Sequence, residues 1–227
     1  LISVLIPAYN EEESIGRTVR AVIKAPGVRQ VLVVDDGSQD DTASRAADAG
    51  AEVLRLPYNV GKGGALNKGV PYLSQPVVAL LDGDLGESAR ELEVLARPVL
   101  EGEADLTIAT FPPVKNPGGF GLVKGLAGGG IRLLTGLRLT APLSGQRVMR
   151  REVLQAVVPF ASGYGVEVAM TVRAALRGFR ILEVPTMMTH RHTGRDWAGF
   201  CHRGRQFWHV FLVLAGIFMS KVLRKEV

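Results

Sequence analysis

Three times in its first 84 residues the chain runs apolar and then stops at a polar or acidic cluster. Ile2–Ile6 leads into "PAYNEEE", Val31–Val34 into "DDGS", and Val77–Leu81 into "DGD". Runs this short, without polar alternation, suit strands buried on both faces. Helical stretches separate them. Strand–helix alternation of this kind predicts a parallel sheet covered by helices on both sides. Ligands of such sheets collect at the carboxyl ends of the strands. All three polar clusters are predicted to fall on that one edge.

The remaining elements follow from local signals. Asn10 is placed to cap a helix opening with Glu11, Glu12 and Glu13, acids suited to the positive helix end. Asp41–Ala49 reads as a helix closed by Gly50, and Glu52–Leu56 as a third strand. "GKGGALNKGV" reads as a glycine loop leading into a helix. Ser88–Leu100 is helical with Pro98 near its end, and Asp105–Thr110 is a fifth strand. Residues 111–130, rich in Gly and Pro, read as a mobile loop entering a weak helix. A second glycine loop, "ASGYGVE", precedes a helix from Val166 to Arg177. Phe179–Val184 is a late strand, "THRHTGRD" a polar loop, and Trp197 onward a terminal helix. The expected class is α/β, with a domain over residues 1–196 and a C-terminal helical extension over 197–227.

Composition narrows the partners. The 227 residues carry a net charge of +5 with a pI near 9.6, which suits an anionic ligand or an anionic surface. No interleaved aromatic and basic motif, zinc-finger spacing or long Lys/Arg run points to nucleic acid. Cys201 is the only cysteine, so no intrachain disulfide forms, and a reducing, cytoplasmic setting is expected. The opening residues lack the basic start and cleavage site of a signal peptide. No apolar stretch reaches the ~20 residues of a membrane span. The nearest, Phe207–Met219, contains His209. Apolar on all sides, it is expected to be buried, to meet a second subunit in a homodimer, or to lie on a membrane surface at the cytoplasmic face.

Each cluster has a chemical and a bland reading. Asp82 and Asp84 stand two apart at a strand end and so share a face. They can hold a divalent cation and a sugar hydroxyl, or simply form an acidic turn. Asp35 and Asp36 can accept from a nucleoside, while Gly37 and Ser38 serve the turn and the following cap. Gly61, Gly63 and Gly64 let backbone approach a ligand beside the charge of Lys62, or form a flexible turn. The spacing matches neither a P-loop nor a dinucleotide fingerprint. His190 and His192 could ligate a metal, with Arg191 and Arg195 suited to phosphate. The alternative there is a solvated basic loop. Glu167 is a base, a hydroxyl acceptor, or a first-turn acid favoured by the helix dipole.

As a set, "VLIPAYNEEESI", "VLVVDDGSQDDT", "GKGGAL" and "LLDGDL" resemble family 2 and related glycosyltransferases of the GT-A fold, a Rossmann-like, mostly parallel sheet flanked by helices. The resemblance covers the first 110 residues in order and spacing. "PLSGQRVMRREVL", "VVPFASGYGVEVAM" and "THRH" are similar to glucosyl-3-phosphoglycerate synthases. "SGQR" and "RGFRILEVP" are also similar to dolichyl- or polyprenyl-phosphate sugar synthases. The resemblance implies a nucleotide-binding half over 1–110 and an acceptor half over 111–196. It implies a UDP-sugar donor held by Pro7, Ala8, Tyr9, Glu11, Asp35, Asp36, Lys62, Asp82 and Gly83. Asp84 and His190 would bind Mg2+ or Mn2+, and Asp84 and Glu167 would serve the transfer. Gly129, Gly130, Arg147, Arg191 and His192 would lie near a phosphorylated acceptor, either 3-phosphoglycerate or a polyprenyl phosphate. The synthases carry "DSGS" and "DSDL" where this chain has "DDGS" and "DGDL", and "SGQR" replaces their acidic variant. Acceptor and anomeric outcome stay open. A sugar-1-phosphate nucleotidyltransferase is the rival enzyme, but "PAYNEEE" lacks its glycine-rich, Arg-containing loop. A non-catalytic nucleotide-sugar-binding protein is the rival outside catalysis.

Overall fold

The computed structural model describes residues 1–112, 121–161, 163–189 and 207–219. Its centre is a seven-stranded sheet in the order β3-β2-β1-β4-β6-β5-β7. The strands are β1 (Ile2–Ala8), β2 (Val28–Asp35), β3 (Glu52–Arg55), β4 (Val77–Leu80), β5 (Leu106–Thr110), β6 (Arg147–Arg150) and β7 (Ile181–Pro185). Pairing is parallel except at β6, which runs antiparallel to both β4 and β5. Nothing in "PLSGQRVMRREVL" predicts a strand, yet β6 forms there. "RVMR" holds two apolar residues between arginines, too few to register as a strand. Its burial comes from being inserted between β4 and β5.

Alternate strand residues feed two cores, as the pleat requires. Val4, Ile6, Val33 and Leu81 face α1 (Ile15–Ile23) and α4 (Leu92–Leu100). Leu5, Val34, Leu80 and Met149 face α3 (Lys62–Gly69), α6 (Arg151–Val157) and α7 (Val166–Leu176). Each enclosed Leu, Ile or Val contributes about 1.5–3 kcal/mol. α2 (Thr42–Asp48) lies between β2 and β3. α5 (Gly121–Thr135) and a last helix, 207–219, here α8, form a third core with α7 through Ile131, Val168, Val172, Val210 and Leu214.

Several boundaries differ from expectation. β1 continues through Pro7 to Ala8, paired with β2. Its contact with β4 ends at Leu5–Leu80, so Pro7 lies where one side of the strand is already free. Asn10 does not cap α1. It takes a positive φ of 54°, and Glu11–Glu13 form a turn before the helix opens at Ile15. Glu11 O accepts from the N–H groups of Ser14 and Ile15. Gly63 and Gly64 are not loop residues: α3 begins at Lys62 and includes both. A Cβ on Gly63 would overlap Ala161 O, and one on Gly64 would press on Val60, so close packing demands them. A short 3-10 segment, Gly86–Glu91, precedes α4, which contains Pro98.

Candidate active site

The chain order reverses between β1 and β4: β1 leads outward to β2, while β4 lies on its other side. A crevice forms at the carboxyl ends of strands around such a point. Lys62, at the start of α3, points into it. Its Nζ lies 2.7 Å from Asp82 Oδ1 and 2.9 Å from Glu167 Oε1. Pro7, Leu81, Gly145 and Val166 line the same cleft. Burial opposes the charge of Lys62, but Asp82 and Glu167 outweigh it and hold the ammonium well above its ordinary 10.5.

Asp82 is fixed from a second side by a residue the sequence reading did not single out. Gln146 Nε2 donates to Asp82 Oδ2 at 2.7 Å, and its Oε1 accepts from Asp82 N at 2.9 Å. An amide offers both a donor and an acceptor to one aspartate, whereas an ionised carboxylate could only accept. Gly145 lets the pair close up, since a Cβ there would lie 2.8 Å from Asp82 Oδ2 and would push the side chains apart. Asp84 follows in the turn, partly buried. Thr18 of α1 secures that turn: its Oγ1 donates to Gly83 O and accepts from Gly86 N, each at 2.8 Å. Thr18 carried a legible signal, a hydroxyl among the apolar residues of α1 beside Ile15, Val19 and Val22. Thr18→Val is expected to cost about 1–3 kcal/mol in urea unfolding, because Gly83 O and Gly86 N lose their partner inside the protein. An unchanged midpoint would remove Thr18 from the support of the turn.

The β1 and β2 ends are laced together. Asn10 N donates to Ser38 Oγ at 2.9 Å, and Glu11 N to Thr42 Oγ1 at 2.8 Å. Ala8 is buried, Tyr9 is 44% exposed, and Glu11 lies against Gly83. Asp36 accepts from Val60 N at 2.8 Å and Gly61 N at 2.9 Å, tying β2 to the approach of α3. Asp35, expected among the donor ligands, is fully enclosed. It accepts from Ser38 N at 3.1 Å and pairs with Arg55 at 3.3 Å, so it builds the turn and offers no surface.

Two expected acceptor contacts also sit elsewhere. Arg147 has no exposed surface. Its Nε donates to Ser144 O and its Nη1 to Thr171 Oγ1, both at 2.9 Å, and burial pushes the guanidinium down to about 10. As placed, it braces β6 against α7 beneath Glu167. Gly130 is occupied by protein, since a Cβ there would overlap Leu214 of α8. Gly129 remains exposed on α5. Glu183 was not anticipated. It accepts from Thr140 N and Ala141 N and holds the segment leading to Gln146.

His190, Arg191 and His192 lie outside the described residues. The chain just before them does not. Thr189 N donates to Ser88 Oγ at 3.0 Å, and Met187 N to Glu91 Oε2 at 3.1 Å. The end of β7 is thereby tied to the segment that follows Asp84. Among the described residues, no three His, Cys, Asp or Glu side chains gather tightly enough to hold a metal.

A cleft of this kind, with a lysine held between an acid at the end of β4 and an acid of α7 on a GT-A sheet, is that of a glycosyltransferase. Residues 3–158 match the model of "Glycosyl transferase family 2", and the chain belongs to that family. An uncharacterized glycosyltransferase of Mycobacterium tuberculosis is 34% identical over 92% of this chain and 97% of its own. Glucosyl-3-phosphoglycerate synthase of Mycolicibacterium paratuberculosis is 32% identical over 95% of this chain and 73% of its own. The crystal structure of the M. tuberculosis synthase with Mn2+, UDP and phosphoglyceric acid superposes with a TM-score of 0.78 at 29% identity, covering 95% of this chain and 77% of that one. Other crystals of that synthase contain Mg2+ with UDP, or Mn2+ with UDP-glucose and glycerol 3-phosphate.

Proposed function

We propose that this chain transfers a hexose, glucose in the first instance, from a UDP-sugar to a phosphorylated acceptor. The observation that carries the reading is the convergence of Lys62, Asp82 and Glu167 at the point where the sheet order reverses. In this reading Glu11 and Asp36 face the uridine, and Pro7, Ala8, Tyr9 and Gly83 shape its seat. Lys62 turns from the two acids toward the donor diphosphate. It stays protonated at neutral pH and needs no proton transfer to do so. Asp82, steadied by Gln146, and Glu167 accept from hydroxyls of the ribose or hexose.

The residues present fit a divalent cation. Asp84 is a hard oxygen donor, and the Ser88–Thr189 bond draws the chain ahead of His190 toward the Asp84 turn. Asp84 and His190 would hold Mg2+ or Mn2+, which when bound supplies positive charge against the leaving diphosphate. His190→Ala is expected to weaken Mn2+ binding about tenfold and His192→Ala much less, read by calorimetry in the presence of UDP. The reverse order would reassign the ligand.

Arg191, His192 and exposed Gly129 remain the acceptor candidates. A phosphate or carboxylate nucleophile would need little deprotonation, which makes Glu167 an orienting group more than a base. The deciding experiment sets UDP- and GDP-sugars against 3-phosphoglycerate, glycerol 3-phosphate and a polyprenyl phosphate with Mn2+, and reads the product anomer by NMR. Metal-dependent UDP binding without turnover on any acceptor would favour the non-catalytic alternative.

A further inference from the structure

We infer that α8, with the adjoining edge of α5, is a docking surface for an anionic lipid bilayer. Only one side of α8 serves the fold: Val210 and Leu214 are buried against α5 and α7. The opposite side is apolar as well. Phe207, Trp208, Phe211, Leu212, Phe218 and Met219 are each between 38% and 58% exposed. The Trp208 and Phe211 rings stack with centroids 5.6 Å apart, forming a flat aromatic surface. The helix contains no Asp, Glu, Lys or Arg at all. A solvent-facing helix ordinarily shows a polar outer face.

α5 extends the surface. Gly130 lies directly under Leu214. Leu126 and Leu133 stand four and three positions from it, and Leu122 four beyond Leu126, so they share its stripe beside α8. Leu122 and Leu133 are 80% and 78% exposed. Together the two helices present a contiguous apolar face of the kind that marks an interaction site.

Charge selects the occupant. From Leu106 to Arg151 the sequence contains no Asp or Glu, and between Asp196 and Glu226 it contains none either. Within those spans Lys124, Arg132 and Arg138 are exposed on or beside α5. Arg203 and Arg205 precede α8 in sequence, and Lys221, Arg224 and Lys225 follow it. An apolar aromatic strip whose neighbours in sequence on both sides are cationic and not acidic suits anionic headgroups over acyl chains. The described turns of α8 span about 20 Å, less than the ~30 Å hydrocarbon layer, which suits a helix lying in the plane of the surface. Among the described residues no helix is long and apolar enough to span a membrane.

The test is flotation of the full chain with vesicles of phosphatidylcholine alone and of phosphatidylcholine mixed equally with phosphatidylglycerol. Flotation is expected with the anionic vesicles only and should weaken in high salt. In a Trp197→Phe background, Trp208 emission should shift to the blue on binding. The double variant W208E/L212E should lower partitioning about a hundredfold, because two half-exposed apolar anchors are lost. Lys221→Glu with Lys225→Glu should lower it at least about tenfold. Both variants should keep the wild-type urea midpoint and the wild-type rate on a water-soluble acceptor without vesicles. That soluble assay separates failure of docking from failure of the transfer reading. Absence of flotation with anionic vesicles, or equal flotation of W208E/L212E, overturns the inference. A solution dimer that W208E/L212E dissociates would assign the face to a second copy instead.

Discussion

Asp84→Ala is expected to leave the fold intact and to lower kcat/KM at least about a thousandfold, ~4 kcal/mol of transition-state stabilisation. Asp84 sits in the turn after β4, and Thr18 holds that turn by the Gly83 carbonyl and the Gly86 N–H. The deletion should therefore spare the architecture and remove one of the two groups assigned to the cation. The distinctive readout is calorimetric. Wild-type affinity for UDP should rise on adding Mn2+, and in Asp84→Ala that increment should vanish while metal-free UDP binding persists. Asp84→Asn separates charge from shape, and it should behave like the alanine because a neutral amide is a poor partner for a hard cation. If UDP and Mn2+ still bind cooperatively to Asp84→Ala, the metal lies elsewhere and the role of β4's second acid is lost.

The parallel core was legible because its signal is local. Val31–Val34 and Val77–Leu80 are apolar at every position, which only a strand covered on both faces tolerates. The edge on which the acids meet followed from that inference. Signals that depend on distant partners were not legible. β6 is a strand because β4 and β5 flank it, and nothing in "RVMR" announces that. Gly63 looked like a loop residue, yet its reason is Ala161, almost a hundred positions away. Asp35 and Asp36 are adjacent and chemically alike, and pleat alternation sends one into the turn beside Arg55 and the other toward the start of α3. Sequence alone offers no way to choose between them. "SGQR" stood out as a departure from the acidic variant of related enzymes, without marking Gln146 itself. Its purpose, a two-bond clasp on Asp82, appears only once β6 is placed beside β4.

Lys62→Met is the second large effect, and it acts on stability and on transfer together. Removing the ammonium leaves Asp82 and Glu167 facing one cleft without their shared cation. Breaking a fully buried pair costs about 3–5 kcal/mol. The Lys62 and Asp82 side chains are each 33% exposed, so water screens part of that, and a loss of about 1–3 kcal/mol is expected. The pH dependence has a defined sign. A base whose pKa rises on folding stabilises the folded state fully below its unfolded value and loses that contribution as pH climbs through the folded one. For Lys62 the loss begins only above the ordinary 10.5, since Asp82 and Glu167 hold the folded value higher still. The stability gap between wild type and Lys62→Met should therefore stay constant through neutral pH and shrink only in strong alkali, as urea titrations at a series of pH values would reveal. A gap that closes near pH 7 would mean that Lys62 is not held charged by the two acids. For transfer, loss of a positive charge aimed at the departing diphosphate should lower kcat/KM about a hundredfold. Lys62→Arg should not restore it. The Nζ is a compact charge set 2.7 Å from Asp82 and 2.9 Å from Glu167, and a planar guanidinium cannot place its charge at that same point. An active Lys62→Arg enzyme would show that charge alone suffices and that its point placement between the two acids is incidental.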